Sequence, residues 1–172
     1  MNDTFLPGNG FDTYEEQDRV LMGLSGSVRS GVAVRILQQQ GFAVAAAVVR
    51  LADTPEEHAA AEAAKALAKK LDVECLALNA EALAGQDVEA ARFAALLTAA
   101  DKLGIQYVAS GHYARMETDT QGVSHLFPPE SGAPDESDRL SALSPEVLAR
   151  LILPLGDFAP EDVEDMAKDF KL

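Results

Sequence analysis

The stretch Val20-Leu21-Met22-Gly23-Leu24-Ser25-Gly26-Ser27-Val28-Arg29-Ser30 passes from an apolar run, Val20 to Leu24, through a turn of small residues, Ser25 to Ser27, into a helical stretch that stops at Gly41. A strand that turns at once into a helix is the first half of a βαβ unit. The pattern then repeats. Phe42 to Leu51 is a second apolar run, long enough for a strand buried on both faces. Thr54, Pro55 and Glu57 announce the next helix as N-cap, first helical residue and partner in a capping box, and the Ala-rich segment continues to Lys70. Val73 to Leu78 is a third strand candidate, Asp87 caps a helix that runs to Leu103 and is stopped by Gly104, and Ile105 to Ser110 is a fourth. Strands and helices alternating at this length need crossover connections. They predict an α/β fold, a parallel sheet with helices on its faces.

Outside that alternation the chain changes character. Residues 1–18 hold Pro7, Gly8, Gly10 and several acids without periodicity, and read as a loose leader to a single domain over 19–172. Glu117 to Arg139 is rich in Gly, Pro, Ser and acids and reads as a loop. Two short helices, opened by Ser144-Pro145-Glu146 and by Pro160-Glu161-Asp162, flank a turn at Leu153-Pro154-Leu155-Gly156-Asp157.

Composition narrows the function classes. Of 172 residues, 14 are Lys or Arg and 28 are Asp or Glu, a formal charge of -14. Affinity for nucleic acid comes largely from cations that displace counterions, so autonomous binding to nucleic acid is not expected. The acids concentrate after Glu117. They read either as a solvated surface or as a face for a basic protein partner. The single cysteine, Cys75, excludes an internal disulfide and fits a reducing compartment; with no apolar run of spanning length, a soluble cytoplasmic protein is expected. The sequence leaves the oligomeric state open.

In an open parallel sheet, ligands bind beyond the carboxyl ends of the strands, where loops and helix N-termini converge. Two segments qualify here. In Gly23 to Ser30, backbone N–H groups and serine hydroxyls at a helix N-terminus suit an anion, although such a turn also serves purely to reverse the chain. In Ala109-Ser110-Gly111-His112-Tyr113-Ala114-Arg115, Gly111 lets a ligand approach the backbone and His112 offers a donor or acceptor.

The segment Met22 to Ser30, continued through Gln40-Gly41-Phe42-Ala43-Val44, resembles the pyrophosphatase loop of the tRNA-specific 2-thiouridylases. Leu103 to Arg115 resembles the same family at its most recognisable motif, and Leu153-Pro154-Leu155-Gly156-Asp157 is a third match in the same order. The resemblance implies a Rossmann-like adenine nucleotide alpha-hydrolase fold with helices on both faces. It also implies ATP-dependent adenylation of a wobble uridine, followed by sulfur transfer from a cysteine persulfide. It carries nucleotide binding, of ATP or AMP, to Gly23, Leu24, Ser25, Gly26, Ser27, Arg29, Ser30, Val49 and Gly111, with His112 as an auxiliary group.

Several positions depart from the family's pattern. Where the family's loop reads Ser-Gly-Gly-Val-Asp-Ser-Ser, this chain has Ser25-Gly26-Ser27-Val28-Arg29-Ser30-Gly31. Arg29 stands for a carboxylate, and a guanidinium cannot coordinate Mg2+. Ala84 falls near the family's first catalytic cysteine, and the second would lie beyond Leu172. Cys75 reads as a small buried hydrophobe rather than a persulfide carrier. The family's tRNA-contacting Lys-Asp-Gln-Ser corresponds to Pro134-Asp135-Glu136-Ser137, which places tRNA contact at Asp135 and Glu136 with the lysine replaced. The family's central and C-terminal tRNA-binding domains have no counterpart in these residues, and with a charge of -14 unaided tRNA binding is not expected. No residue is assigned as catalytic or as a metal ligand.

Three expectations result. The chain is a nucleotide- or anion-binding module without the full thiolation reaction. Alternatively it is an active adenylating subunit served by a sulfur-supplying partner. In the third reading it is an interaction protein whose pocket is plugged, for instance by Arg29 paired with a nearby acid. An open cleft between Gly23–Ser30 and Gly111 favours the first, and a filled one the third.

Overall fold

The computed structural model describes residues 18–129 and 132–172. The expected leader lies outside the described residues except for Asp18, whose carbonyl accepts from the Ala43 N–H at 2.9 Å. The predicted alternation is realised as β1 (Arg19–Gly23), α1 (Val28–Gln39), β2 (Ala43–Arg50), α2 (Pro55–Leu71), β3 (Cys75–Asn79), α3 (Val88–Leu103) and β4 (Tyr107–Ala109). A two-residue strand, β7 (Leu151–Ile152), completes a parallel sheet of order β3-β2-β1-β4-β7.

The strand sequences distribute the core to both faces. On β1, Val20 and Met22 point to the face covered by α1, α2 and α5 (Pro160–Asp169), while Leu21 points to the face covered by α3 and α4 (Pro145–Arg150). All three are fully buried, as period-two alternation on a doubly covered strand requires. Alanines let the helices sit close: Ala61, Ala64 and Ala68 on α2 face the first layer, and Ala100 on α3 faces the second.

Helix signals are used much as expected. Thr54 Oγ1 accepts from the Glu57 N–H at 3.2 Å, and Asp87 Oδ2 from the Ala90 N–H at 3.0 Å. The predicted capping box at Thr54 is only half made. Glu57 Oε1 instead accepts from the Leu51 N–H at 2.8 Å, tying the helix to the end of β2. Gly41 and Gly104 take φ values of +98° and +70°, the left-handed geometry that ends a helix.

The expected loop from Glu117 to Arg139 is partly ordered. Arg115–Thr118 (β5) and Ser124–Phe127 (β6) form an antiparallel hairpin, and Ser137–Leu140 is a turn of 3-10 helix. The hairpin's reversal is set by Asp119, whose Oδ1 accepts from the N–H groups of Gln121 and Val123, and by Gly122 at φ +82°. Strand β7 is secured from its preceding residue. Arg150 donates to the carbonyls of Gln106 and Ile105 and pairs with Asp101 at 2.6 Å, holding the chain against β4. Among the described residues no helix is long and apolar enough to cross a membrane.

Candidate functional site

From β1 the chain runs outward through β2 to β3 on one side, then returns to place β4 on the other side of β1. The carboxyl ends of β1 and β4 therefore flank the point where strand order reverses, the place where open α/β sheets form a crevice. A cavity of about 240 Å3 lies there. Of the residues singled out in the sequence, Gly23, Leu24, Ser25, Ser27, Arg29, Ser30, Val49, Gly111 and His112 line it. Gly26, Asp135 and Glu136 do not.

Gly26 acts behind the loop. Its φ is +83°, and a Cβ there would lie 2.9 Å from the Ala63 Cβ, so glycine lets the turn pack on α2. The serines are largely engaged in building the helix start. Ser27 Oγ accepts from the Ser30 N–H at 3.3 Å and shares a hydrogen bond with Ser25 Oγ at 2.9 Å, while Ser30 Oγ donates to the Ser27 carbonyl at 2.7 Å. Ser30 is buried, and its hydroxyl is spent on the Ser27 carbonyl.

Arg29 is paired with an acid, the instance offered for a plugged pocket. Its Nη1 donates to Glu136 Oε1 at 3.2 Å, and its guanidinium carbon lies 4.7 Å from the centroid of the Tyr113 ring. The same Glu136 oxygen accepts from the Tyr113 N–H at 2.7 Å, and Glu136 Oε2 lies 3.6 Å from Arg139 Nη1. Glu136 thus anchors the 137–140 turn to the start of α1. The cavity nevertheless stays open beside this pair, because Arg29 leans over Tyr113 instead of across the crevice. Asp135 serves the same turn locally, accepting from the Ser137 N–H and hydroxyl. Glu136→Ala removes the acceptor of the Tyr113 N–H and is expected to cost about 1–3 kcal/mol. Thermal unfolding checks this, and an unchanged midpoint would show that the anchor carries no stability.

The lining residues that the sequence did not assign include Glu89, Arg92, Phe93 and Arg139. The first three occupy the opening turns of α3, the helix that crosses back toward β4. Their signal was the Asp87 cap, which places a helix N-terminus at the carboxyl edge of the sheet. His112 stands between two partners. Its Nδ1 lies 2.7 Å from Ser110 Oγ and its Nε2 lies 3.1 Å from Glu89 Oε2, and its ring meets that of Phe93 at a centroid distance of 6.3 Å. Burial by itself would raise the Glu89 carboxyl, but the His112 hydrogen bond and charge, with Arg92 and Arg139 nearby, hold it below the usual carboxylate range.

Cys75 opens β3, an edge strand two positions from β1 in the sheet, and does not line the cavity. Burial pushes its thiol up, which disfavours the thiolate. Ala84 follows the 3-10 turn Glu81–Leu83 and carries no nucleophile. The lining carboxylates, Glu57 and Glu89, are already bonded to the Leu51 N–H and to His112. With Arg29 in place of an acid, this donor set does not fit Mg2+.

Comparisons with known proteins agree with this architecture. The family described as "tRNA methyl transferase HUP domain" matches residues 18–89 and 88–172. A tRNA-specific 2-thiouridylase of Lactococcus lactis is 30% identical over 179 residues, 88% of this chain and 48% of the relative. The corresponding protein of Pediococcus pentosaceus is 31% identical over 184 residues, 91% of this chain and 49% of the relative. The chain spans about half the length of the curated relatives it matches. Among solved structures, the U34-tRNA thiolase NcsA of Methanococcus maripaludis, determined with its 4Fe-4S cluster, superposes with a TM-score of 0.61 at 15% identity, covering 90% of this chain and 57% of that one. A chain described as a predicted subunit of tRNA methyltransferase from Methanocaldococcus jannaschii gives 0.52 at 15%, covering 88% and 74%. At that identity the two structures bear on the fold alone.

Proposed function

The chain belongs to the tRNA methyl transferase HUP domain family, kin to the tRNA-specific 2-thiouridylases, and on that premise we propose that it is a nucleotide- or anion-binding module of tRNA thiolation that does not itself carry sulfur. The observation that carries this reading is the open cavity at the point of strand reversal, flanked by Arg92 and Arg139 and floored by the Gly23–Ser30 turn. Backbone N–H groups at the start of α1 do not depend on side-chain identity, so replacement of the family's loop residues leaves the anion-binding character of the turn.

Size and charge refine the ligand. The cavity of about 240 Å3 is smaller than a typical drug-sized pocket, so it encloses AMP or part of ATP and leaves a longer phosphate tail at the mouth. Arg92 and Arg139 supply the counter-charge that a metal supplies elsewhere. Against sulfur transfer stand Ala84, the placement of Cys75 on an edge strand, and the raised thiol. The formal charge of -14 supports a basic protein as the partner, in preference to unaided tRNA. The exposed acids of α5, Glu161, Asp162, Glu164 and Asp165, offer a face for it.

Calorimetric titration with AMP and ATP, each with and without Mg2+, tests the reading. Binding is expected with both, without a requirement for the metal, and Arg92→Ala is expected to weaken it about tenfold, the equivalent of one charge-assisted hydrogen bond. Absence of heat at millimolar nucleotide would overturn nucleotide binding. A strict need for Mg2+ would overturn the role given to the arginines.

A further inference from the structure

We propose that Ser110, His112 and Glu89 form a serine-nucleophile site that cleaves carboxylic esters carrying an anionic group. Ser110 follows the last residue of β4, beside β1 where the strand order reverses, and is succeeded by Gly111. A hydroxyl at the carboxyl end of a central parallel strand faces the crevice instead of the sheet interior. Ser110 is only 5% exposed, and the surface it does show lines the cavity, as do His112 and Glu89.

The hydrogen bonds fix the proton positions. An ionised carboxylate only accepts, so the His112 Nε2 proton is donated to Glu89 Oε2 at 3.1 Å. In the neutral imidazole this leaves the Nδ1 lone pair facing Ser110 Oγ at 2.7 Å. That is the arrangement of a nucleophile, its base and a residue that orients the base, with the two ring nitrogens exchanged relative to the serine proteases. The low Glu89 carboxyl agrees with a carboxylate that stays ionised beside the ring. Arg92 and Arg139 line the same cavity, both close enough to act on the Glu89 charge, and assign the anionic group of the substrate.

In the first step Ser110 Oγ bonds to the ester carbonyl carbon while its O–H proton passes to His112 Nδ1 and the carbonyl π pair moves to oxygen. Collapse re-forms the carbonyl and breaks the bond to the alcohol oxygen, which leaves with the proton from His112. Water then adds to the acyl-serine carbon, giving its proton to His112. The carboxylic acid departs as the proton returns to Ser110 Oγ. Ser110 and His112 are the catalytic residues; Glu89 acts through His112 and is a positioning residue.

The inference goes beyond nucleotide binding but shares its cavity, so the test uses a probe that needs no nucleotide. A fluorophosphonate is added to the full chain, and the adduct, formed with loss of fluoride, is mapped by mass spectrometry. Labelling is expected at Ser110 and abolished in Ser110→Ala. It is expected to slow about 100-fold or more in His112→Gln, with circular dichroism confirming that each variant is folded. In Glu89→Gln it is expected to slow at least about tenfold and to recover in part in Glu89→Asp, which restores a carboxylate acceptor for the His112 Nε2–H; a merely structural role would not distinguish the two variants in this way. Hydrolysis of the anionic ester p-nitrophenyl succinate is expected to exceed that of neutral p-nitrophenyl acetate, a preference lost in Arg92→Ala. No adduct on Ser110, or undiminished labelling in His112→Gln, would overturn the nucleophile. Equal rates on the two esters would overturn the anionic specificity. Heat with AMP and no adduct refutes this proposal alone, while an adduct without heat refutes the nucleotide reading alone.

Discussion

Gly156→Ala is expected to lower the thermal unfolding midpoint by roughly 6–12 °C, the equivalent of about 3 kcal/mol in a domain of this size. The cause is a close approach of two backbones. A Cβ at Gly156 would stand 2.3 Å from the Ala114 carbonyl oxygen and 2.9 Å from Arg115 Cγ. A long side chain can swing away from such a contact, but a carbonyl within a packed segment cannot. The strain would be delivered to Ser110–Arg115, since Leu155 beside it also reaches toward Gly111. The substitution is therefore expected to disturb the cavity as well as the stability. A midpoint within about 1 °C of the unsubstituted protein would refute the contact.

The second large effect is placed at Phe93, which is 2% exposed and belongs to the core between the sheet and α3. Phe93→Ala removes a large buried ring and leaves a cavity that the neighbouring Leu96 and Leu143 cannot fill from fixed backbone, a loss of about 3–5 kcal/mol. Its consequence for the site is separate. The Phe93 ring packs beside His112, so its removal frees the imidazole to turn away from Ser110 and Glu89. Denaturant unfolding is expected to show the reduced midpoint at unchanged m-value, and Ser110 labelling is expected to slow while the protein remains folded. Unaltered stability would show that the core relaxes around the gap.

The parts of the fold that were legible in the sequence are those fixed by local chemistry. Thr54 and Asp87 cap helices, Gly41 and Gly104 stop them, and the apolar runs at Val20, Phe42 and Val73 become strands because each is covered on two faces. The hairpin at Arg115–Phe127 was not legible. Its strands are short and half exposed, and its composition resembles that of the irregular segment it adjoins. Strand β7 is two residues long and depends on Arg150 reaching carbonyls more than forty positions away, which no local pattern encodes.

The site divides in the same way. Residues of the Gly23–Ser30 turn could be named because a helix start is a local event. Glu89 and Arg92 could not, since what makes them lining residues is the crossing of α3 over the sheet. The three recognisable segments gain a common physical reason from the structure. Gly111 lies where a Cβ would be 3.5 Å from Ser30 Cα, and Gly156 is pressed on Ala114, so all three meet around residues 111–115.

The pair formed by Arg29 and Glu136, 107 residues apart, also constrains how this sequence can change. A carboxylate at position 29 would face the Glu136 carboxylate and repel it. Neutralising position 136 first would strand Arg29 and the Tyr113 N–H without their shared acceptor. Each single charge change at this pair passes through a less stable intermediate, so the two positions are free to change only together. The pair works as an energetic latch between the start of α1 and the 137–140 turn, released only by changing both ends at once.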